Sequence, residues 1–134
     1  MRANTDDMEQ ALRSSSLLQM YLGYGFDPNL RDQENVTLLH RTMGCMWRGR
    51  WMNSQEVMIE FIRVLLDHGA DPNLRDDDIK STPIAWHARY GHDKVVEYLL
   101  SRGVATELPD GEDWNTPLAW ANKQGHERIV GLLS

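Results

Sequence analysis

One thiol, five imidazoles and a run of three carboxylates are the groups in this chain whose types could do chemistry. Cys45 is the single cysteine. A nucleophilic thiol needs a base within hydrogen-bond reach. His40, five residues upstream, would stand about 140° away round a helix, so an inert thiol is expected. No two histidines or carboxylates share the i, i+3 or i, i+4 spacing of a helical metal pair with further ligands in reach. Asp76-Asp77-Asp78 begins like a calcium loop but lacks the glycine and distal glutamate that such a loop requires; a solvated turn is expected. Gly23-Tyr24-Gly25 has no third glycine, and no G-x-S-x-G, phosphate loop or H-E-x-x-H run occurs. The chain is therefore read as non-enzymatic, with no catalytic residue, cofactor or metal. The competing reading is an unrecognised site near His87, Cys45 or His40.

The elements that would position any site come from a repetition. Thr82-Pro83-Ile84-Ala85-Trp86, Gly91-His92, Val95-Val96 and Leu99 recur 34 residues on as Thr116-Pro117-Leu118-Ala119-Trp120, Gly125-His126, Ile129-Val130 and Leu133. Asp27 to Asp32 recurs as Asp71 to Asp76, at an offset of 44. Such a period marks stacked supersecondary units, none of which can bury its apolar face alone. In the clearest unit, Thr82-Pro83 starts a helix by capping and by a proline in the first turn. Gly91 ends that helix. A second one, about Asp93 to Arg102, carries Val95, Val96, Leu99 and Leu100 as one stripe, and Gly103 closes it.

Bulk properties narrow the class. The 134 residues carry a net charge of −6, with 41% hydrophobic and 25% charged residues. That is one globular domain with a core, not a disordered chain. The negative charge opposes binding to nucleic acid or to anionic membranes and favours a basic partner. A lone cysteine asks for no oxidising compartment. The acidic start Asp6-Asp7 does not read as a signal peptide, and no apolar run reaches a membrane span. A soluble, cytoplasmic protein is expected.

Thr82-Pro83-Ile84-Ala85, Gly91-His92, Val95-Val96, Leu99-Leu100 and Gly103 resemble an ankyrin repeat, whose signature is T-P-L-H-x-A with a period of 33. Thr37-Leu38-Leu39-His40 and Gly69-Ala70-Asp71 extend the likeness upstream, to about residue 16. The resemblance implies an all-α ankyrin-repeat solenoid of stacked helix-turn-helix units with hairpin-like fingers. Its units would be about 1–31 (an N-terminal cap, started at Asp6-Asp7-Met8-Glu9), 32–76, 77–109 and 110–134 (a C-terminal cap). It implies structural roles for His92 and His126, which share one repeat position, and for His40, whose ring would tie neighbouring turns. His87 replaces a small residue, so it is either a ring accommodated at the core edge or a strained, partner-facing one. His68 falls in a last turn, where partial positive charge is favourable.

The second unit is irregular. Thr37 to Gly69 spans 32 residues where Thr82 to Gly103 spans 21, an insertion of 11. Asn53-Ser54-Gln55-Glu56 predicts a helix start near Ser54. The first helix is expected to run through Met43 and Met46 to about Trp47. The pair would then protrude by a turn, with its loop at Gly49-Arg50. Trp47, Arg48, Arg50 and Trp51 form either a recognition tip, tryptophan and arginine being anchor residues, or packing for the added helix length.

Partner contact in ankyrin proteins falls on turn tips and first-helix ends. By resemblance the tips are Gln33, Glu34 and Val36; Asp78, Ile79 and Ser81; and Glu112, Asp113 and Asn115. The helix ends are Gly44 and Cys45; Arg89 and Tyr90; and Lys123 and Gln124. Glu107, Asp110, Glu112 and Asp113, with Asp76 to Asp78, would make an acidic row. That row is either a solubilising edge or a means of steering a basic partner. The function expected is a protein-binding module, in a sharper form an inhibitor or immunity-like protein covering a basic effector. A monomer is expected over a self-associating subunit; the last helix ends without a glycine cap, which leaves the second open.

Overall fold

The computed structural model describes residues 15–32, 35–42, 54–108 and 111–134. Among these residues there are seven helices, with one isolated antiparallel bridge between Arg31 and Thr37. The chain divides into two compact units, Met1–Asp71 and Pro72–Ser134.

The first unit contains α1 (Ser15–Gly23), α2 (Leu38–Arg41) and α3 (Gln55–Asp67). Ser54 starts α3 as its spacing predicts: the Oγ accepts the Val57 N–H at 3.2 Å from an extended cap backbone. Met58, Phe61, Ile62, Val64 and Leu65 are buried along one side of α3, against which both α1 and α2 pack. Each fully buried aliphatic side chain here contributes about 1.5–3 kcal/mol. In α2 the His40 Nδ1 meets Thr37 Oγ1 at 2.7 Å, so this ring ties the helix start on itself. The His68 ring lies at the C-cap of α3, where Nδ1–H donates to the Val64 carbonyl at 2.9 Å. Asn29 ties the first turn to the residues that follow α3: its Oδ1 accepts the Asp71 N–H at 2.6 Å, and its Nδ2 lies 3.5 Å from the Gly69 carbonyl. The start expected at Asp6 to Glu9, the extension through Met43 and Met46 and the loop at Gly49-Arg50 lie outside the described residues.

The second unit contains α4 (Pro83–Arg89), α5 (Asp93–Ser101), α6 (Pro117–Gln124) and α7 (Glu127–Leu133). Two helical hairpins, α4–α5 and α6–α7, lie side by side, α4 on α6 and α5 on α7. Ile84, Ala85, Ala88, Val95, Val96, Leu99, Ala121 and Ile129 fill the space between them. Leu100, expected in the buried stripe, is only half-buried. Thr116 caps α6 by accepting the Ala119 N–H at 3.0 Å. Thr82 occupies the same position with an extended backbone but makes no side-chain cap bond, contrary to expectation. Pro83, which has no N–H to satisfy, starts α4 without it.

Gly91 shows why glycine and histidine recur as a pair. Its φ is +80°, and a Cβ there would fall 2.8 Å from Cε1 of His126. The His126 ring therefore rests on a bare backbone, and its Nε2–H donates to the Arg89 carbonyl at 3.0 Å. The histidine of one hairpin thus locks onto the helix end of the hairpin before it.

Candidate functional site

The first finger of the second unit is organised by one carboxylate. Asp76 accepts the N–H groups of Asp78, Ile79 and Ser81, each at 2.8 Å, and the Trp86 indole N–H at 2.9 Å. It is 1% exposed. The solvated turn expected for Asp76-Asp77-Asp78 is corrected for its first member: enclosed donors need a buried acceptor, while Asp77 and Asp78 face solvent. Lys80, at φ +54°, lets the chain turn back.

Ser81 and Asn115 fasten this finger to the next. The Trp120 indole donates to Ser81 Oγ at 2.9 Å, and Asn115 Nδ2 donates to the Lys80 carbonyl at 2.8 Å. Asn115 Oδ1 also accepts the Glu112 N–H at 3.1 Å. Both residues are buried, as is Val36 in the first unit. These three, expected at exposed tips, are therefore corrected to internal positions, because their polar atoms or apolar surface are spent inside the protein. Gln33, Glu34, Gly44, Cys45, Trp47, Arg48, Arg50 and Trp51, and with them the choice between packing and recognition, lie outside the described residues. Of the acidic row, Asp77, Asp78, Glu107, Glu112 and Asp113 are exposed, Asp76 is buried, and Asp110 lies outside the described residues.

The helix-end positions converge. Arg89 closes α4 and Lys123 lies in the last turn of α6. The Arg89 guanidinium lies 4.9 Å from the Trp120 ring centroid and 5.2 Å from that of Tyr90, and it donates to the Tyr90 hydroxyl at 3.1 Å. Lys123 Nζ lies 5.4 Å from the same Trp120 ring. Trp86 stacks on Tyr90 at 6.0 Å, and Trp114 meets Trp120 edge-on at 6.3 Å. Trp120 thus touches the preceding finger through Ser81, its own finger through Trp114, and both helix ends. Fingers and helix ends are thus joined through one ring that is itself buried, at 6% exposure. Lys123 and Gln124 are exposed, Arg89, Tyr90 and Ile79 half-buried. Trp114, 52% exposed, was not among the expected contact residues; the signal was a large ring at the tip of an otherwise acidic turn.

Of the histidines, His40 and His87 are buried, His92 and His126 half-buried and His68 exposed. The His87 and His92 Nδ1 atoms stand 2.8 Å apart, a gap with room for one N–H, so one ring donates and the other accepts. His87 is the accommodated ring and not a partner-facing one: it is fully buried. Burial, and next the neighbouring His126, hold His92 below the usual imidazole range, with Asp93 opposing. Among the described residues no three His, Cys, Asp or Glu are grouped to hold a metal ion.

Recesses are of two kinds. Arg75, Thr82, Glu107, Gly111 and Thr116 surround about 20 Å³, room for a single water and far below a ligand pocket. On the outer helices, Lys94, Glu97, Tyr98, Ser101 and Arg128 line an open depression. Arg128 bridges it to Asp93 at 2.7 Å and to Glu97 at 2.9 Å. No helix among the described residues is long and apolar enough to cross a membrane.

A family model described as ankyrin repeats, in three copies, matches residues 52–134. No curated protein matches the chain.

Proposed function

Since the chain belongs to the ankyrin-repeat family, we propose that it holds a protein partner on the finger tips and helix ends of its second unit. Ankyrin repeats are generally protein–protein interaction modules and typically non-enzymatic. The observation that carries the finer reading is the convergence on Trp120 of Trp114, Arg89 and Lys123, beside the exposed acids Asp77, Asp78, Glu112 and Asp113. Aromatic rings with cations against them are the residue types that anchor interfaces. The acids at the tips add charge that speeds encounter with basic surface more than it tightens the complex. This is the basis for a basic effector as the partner of an inhibitor-like protein.

The test is capture of the partner from the native source on the full chain, repeated with two variants. Lys123→Glu and the triple variant Asp78→Lys, Glu112→Lys, Asp113→Lys are each expected to lose the captured protein. Retention by both rejects the surface. Sedimentation of the free chain separates a binding module from a self-associating subunit: a monomer at working concentration removes the latter.

A further inference from the structure

The acidic tips describe half of the surface; the floor beside them has the opposite sign. Arg89 and Lys123 hold equivalent positions 34 residues apart, and both lie within 5.4 Å of one indole ring centroid. Three arginines elsewhere have carboxylates: Arg41 with Asp32, Arg63 with Glu60 and Asp67, Arg128 with Asp93 and Glu97. Among the described residues neither Arg89 nor Lys123 has one, in a chain whose net charge is −6. Among the described residues the buried Arg89 Nε has no acceptor. A guanidinium seated against Tyr90 and Trp120 has already lost its rotamer freedom, so a carboxylate meeting it costs little further ordering.

We infer that this floor receives an acidic side chain, Asp or Glu, from a segment of the protein partner. The inference rests on the binding reading above and makes it more specific. The partner's matching segment is of mixed charge, acidic where it meets Arg89 and Lys123 and basic where it meets the tips. A uniformly basic partner would set its own cations against these two, and like charges brought together at an interface are a strong penalty. The carboxylate would meet the half-buried guanidinium and the exposed ammonium, beside the exposed ring of Trp114. Charge-assisted pairs of this kind are about twice as strong as neutral ones.

The experiment is selection of a displayed library of random linear peptides on the full chain. Synthetic peptides made from the enriched sequences are then titrated against wild type, Arg89→Gln and Lys123→Glu, each shown to be folded by thermal unfolding. Enriched peptides are expected to share an Asp or Glu and to bind each variant about tenfold more weakly. Changing that peptide residue to its amide should remove the difference between wild type and variants, the signature of a direct pair. Enriched peptides without acidic bias, or acidic peptides that bind all three proteins equally, overturn the inference and leave the module reading intact. A selection that yields no binder overturns both.

Discussion

In the first unit Asp32 holds its turn together and is held in place by an arginine; in the second, Asp76 does so with a tryptophan. Asp32 accepts the Val36 N–H at 3.1 Å and pairs with Arg41 through Nε at 2.7 Å. Asp76 accepts three backbone N–H groups and the Trp86 indole. Both carboxylates are 1% exposed. The turn needs an enclosed acceptor for its converging N–H groups. The group that comes up from the following helix to meet it is free to differ. A guanidinium reaches one turn and a ring N–H the other, so the two should fail differently.

The largest effect should come from breaking the charged version. Arg41→Met leaves the Asp32 carboxylate buried without its counter-charge, and a loss of about 3–5 kcal/mol is expected in denaturant unfolding. A loss below about 1 kcal/mol would mean that the turn's own N–H groups suffice. Asp76→Ala strands four donors and should cost somewhat less, about 2–4 kcal/mol. Gly91→Ala combines a left-handed backbone with a contact against the His126 ring; about 1–3 kcal/mol is expected, against about 1 kcal/mol for Gly103→Ala, where the φ is +76° but space is open. Equal costs at the two glycines would show that the ring simply moves aside. Trp86→Phe removes one neutral donor and leaves Asp76 its backbone partners, so about 1 kcal/mol is expected. A cost matching that of Arg41→Met would erase the contrast between the turns.

The smallest effect is a pH slope. The His92 pKa is lowered on folding, so the unfolded chain binds more protons below the ordinary imidazole value. The stability contributed is complete above about pH 6.5. It falls as the pH drops through that value towards the lower folded pKa. His92→Gln should flatten this slope in denaturation curves taken between neutral and mildly acid pH.

The hairpins of the second unit were legible because their signals are local. Thr116-Pro117 starts a helix, Gly91 and Gly103 end two others, and Val95, Val96 and Leu99 lie on one side of α5. The fingers were legible in position but not in detail. Ser81 and Asn115 have the composition of exposed turn residues, and what buries them is a pair of bonds to groups 39 and 35 residues away. Neither bond has a sequence signature. The recurrence of Trp86 and Trp120 was visible, but one indole meets a carboxylate and the other a hydroxyl, and spacing cannot separate those fates. The gathering of Arg89 and Lys123 over one ring likewise depends on how close the hairpins stand.

Ser81 has a bearing on how such a protein could grow. Its hydroxyl receives the indole of the following hairpin, while the Asn115 amide reaches back to the carbonyl of Lys80. A duplicated or transplanted hairpin spliced in at this junction must bring a tryptophan of its own and, at the one repeat position that Ser81 and Asn115 share, a side chain that both reaches back and receives the next indole. Evolution by copying is thus restricted here to modules that carry a matching plug and socket.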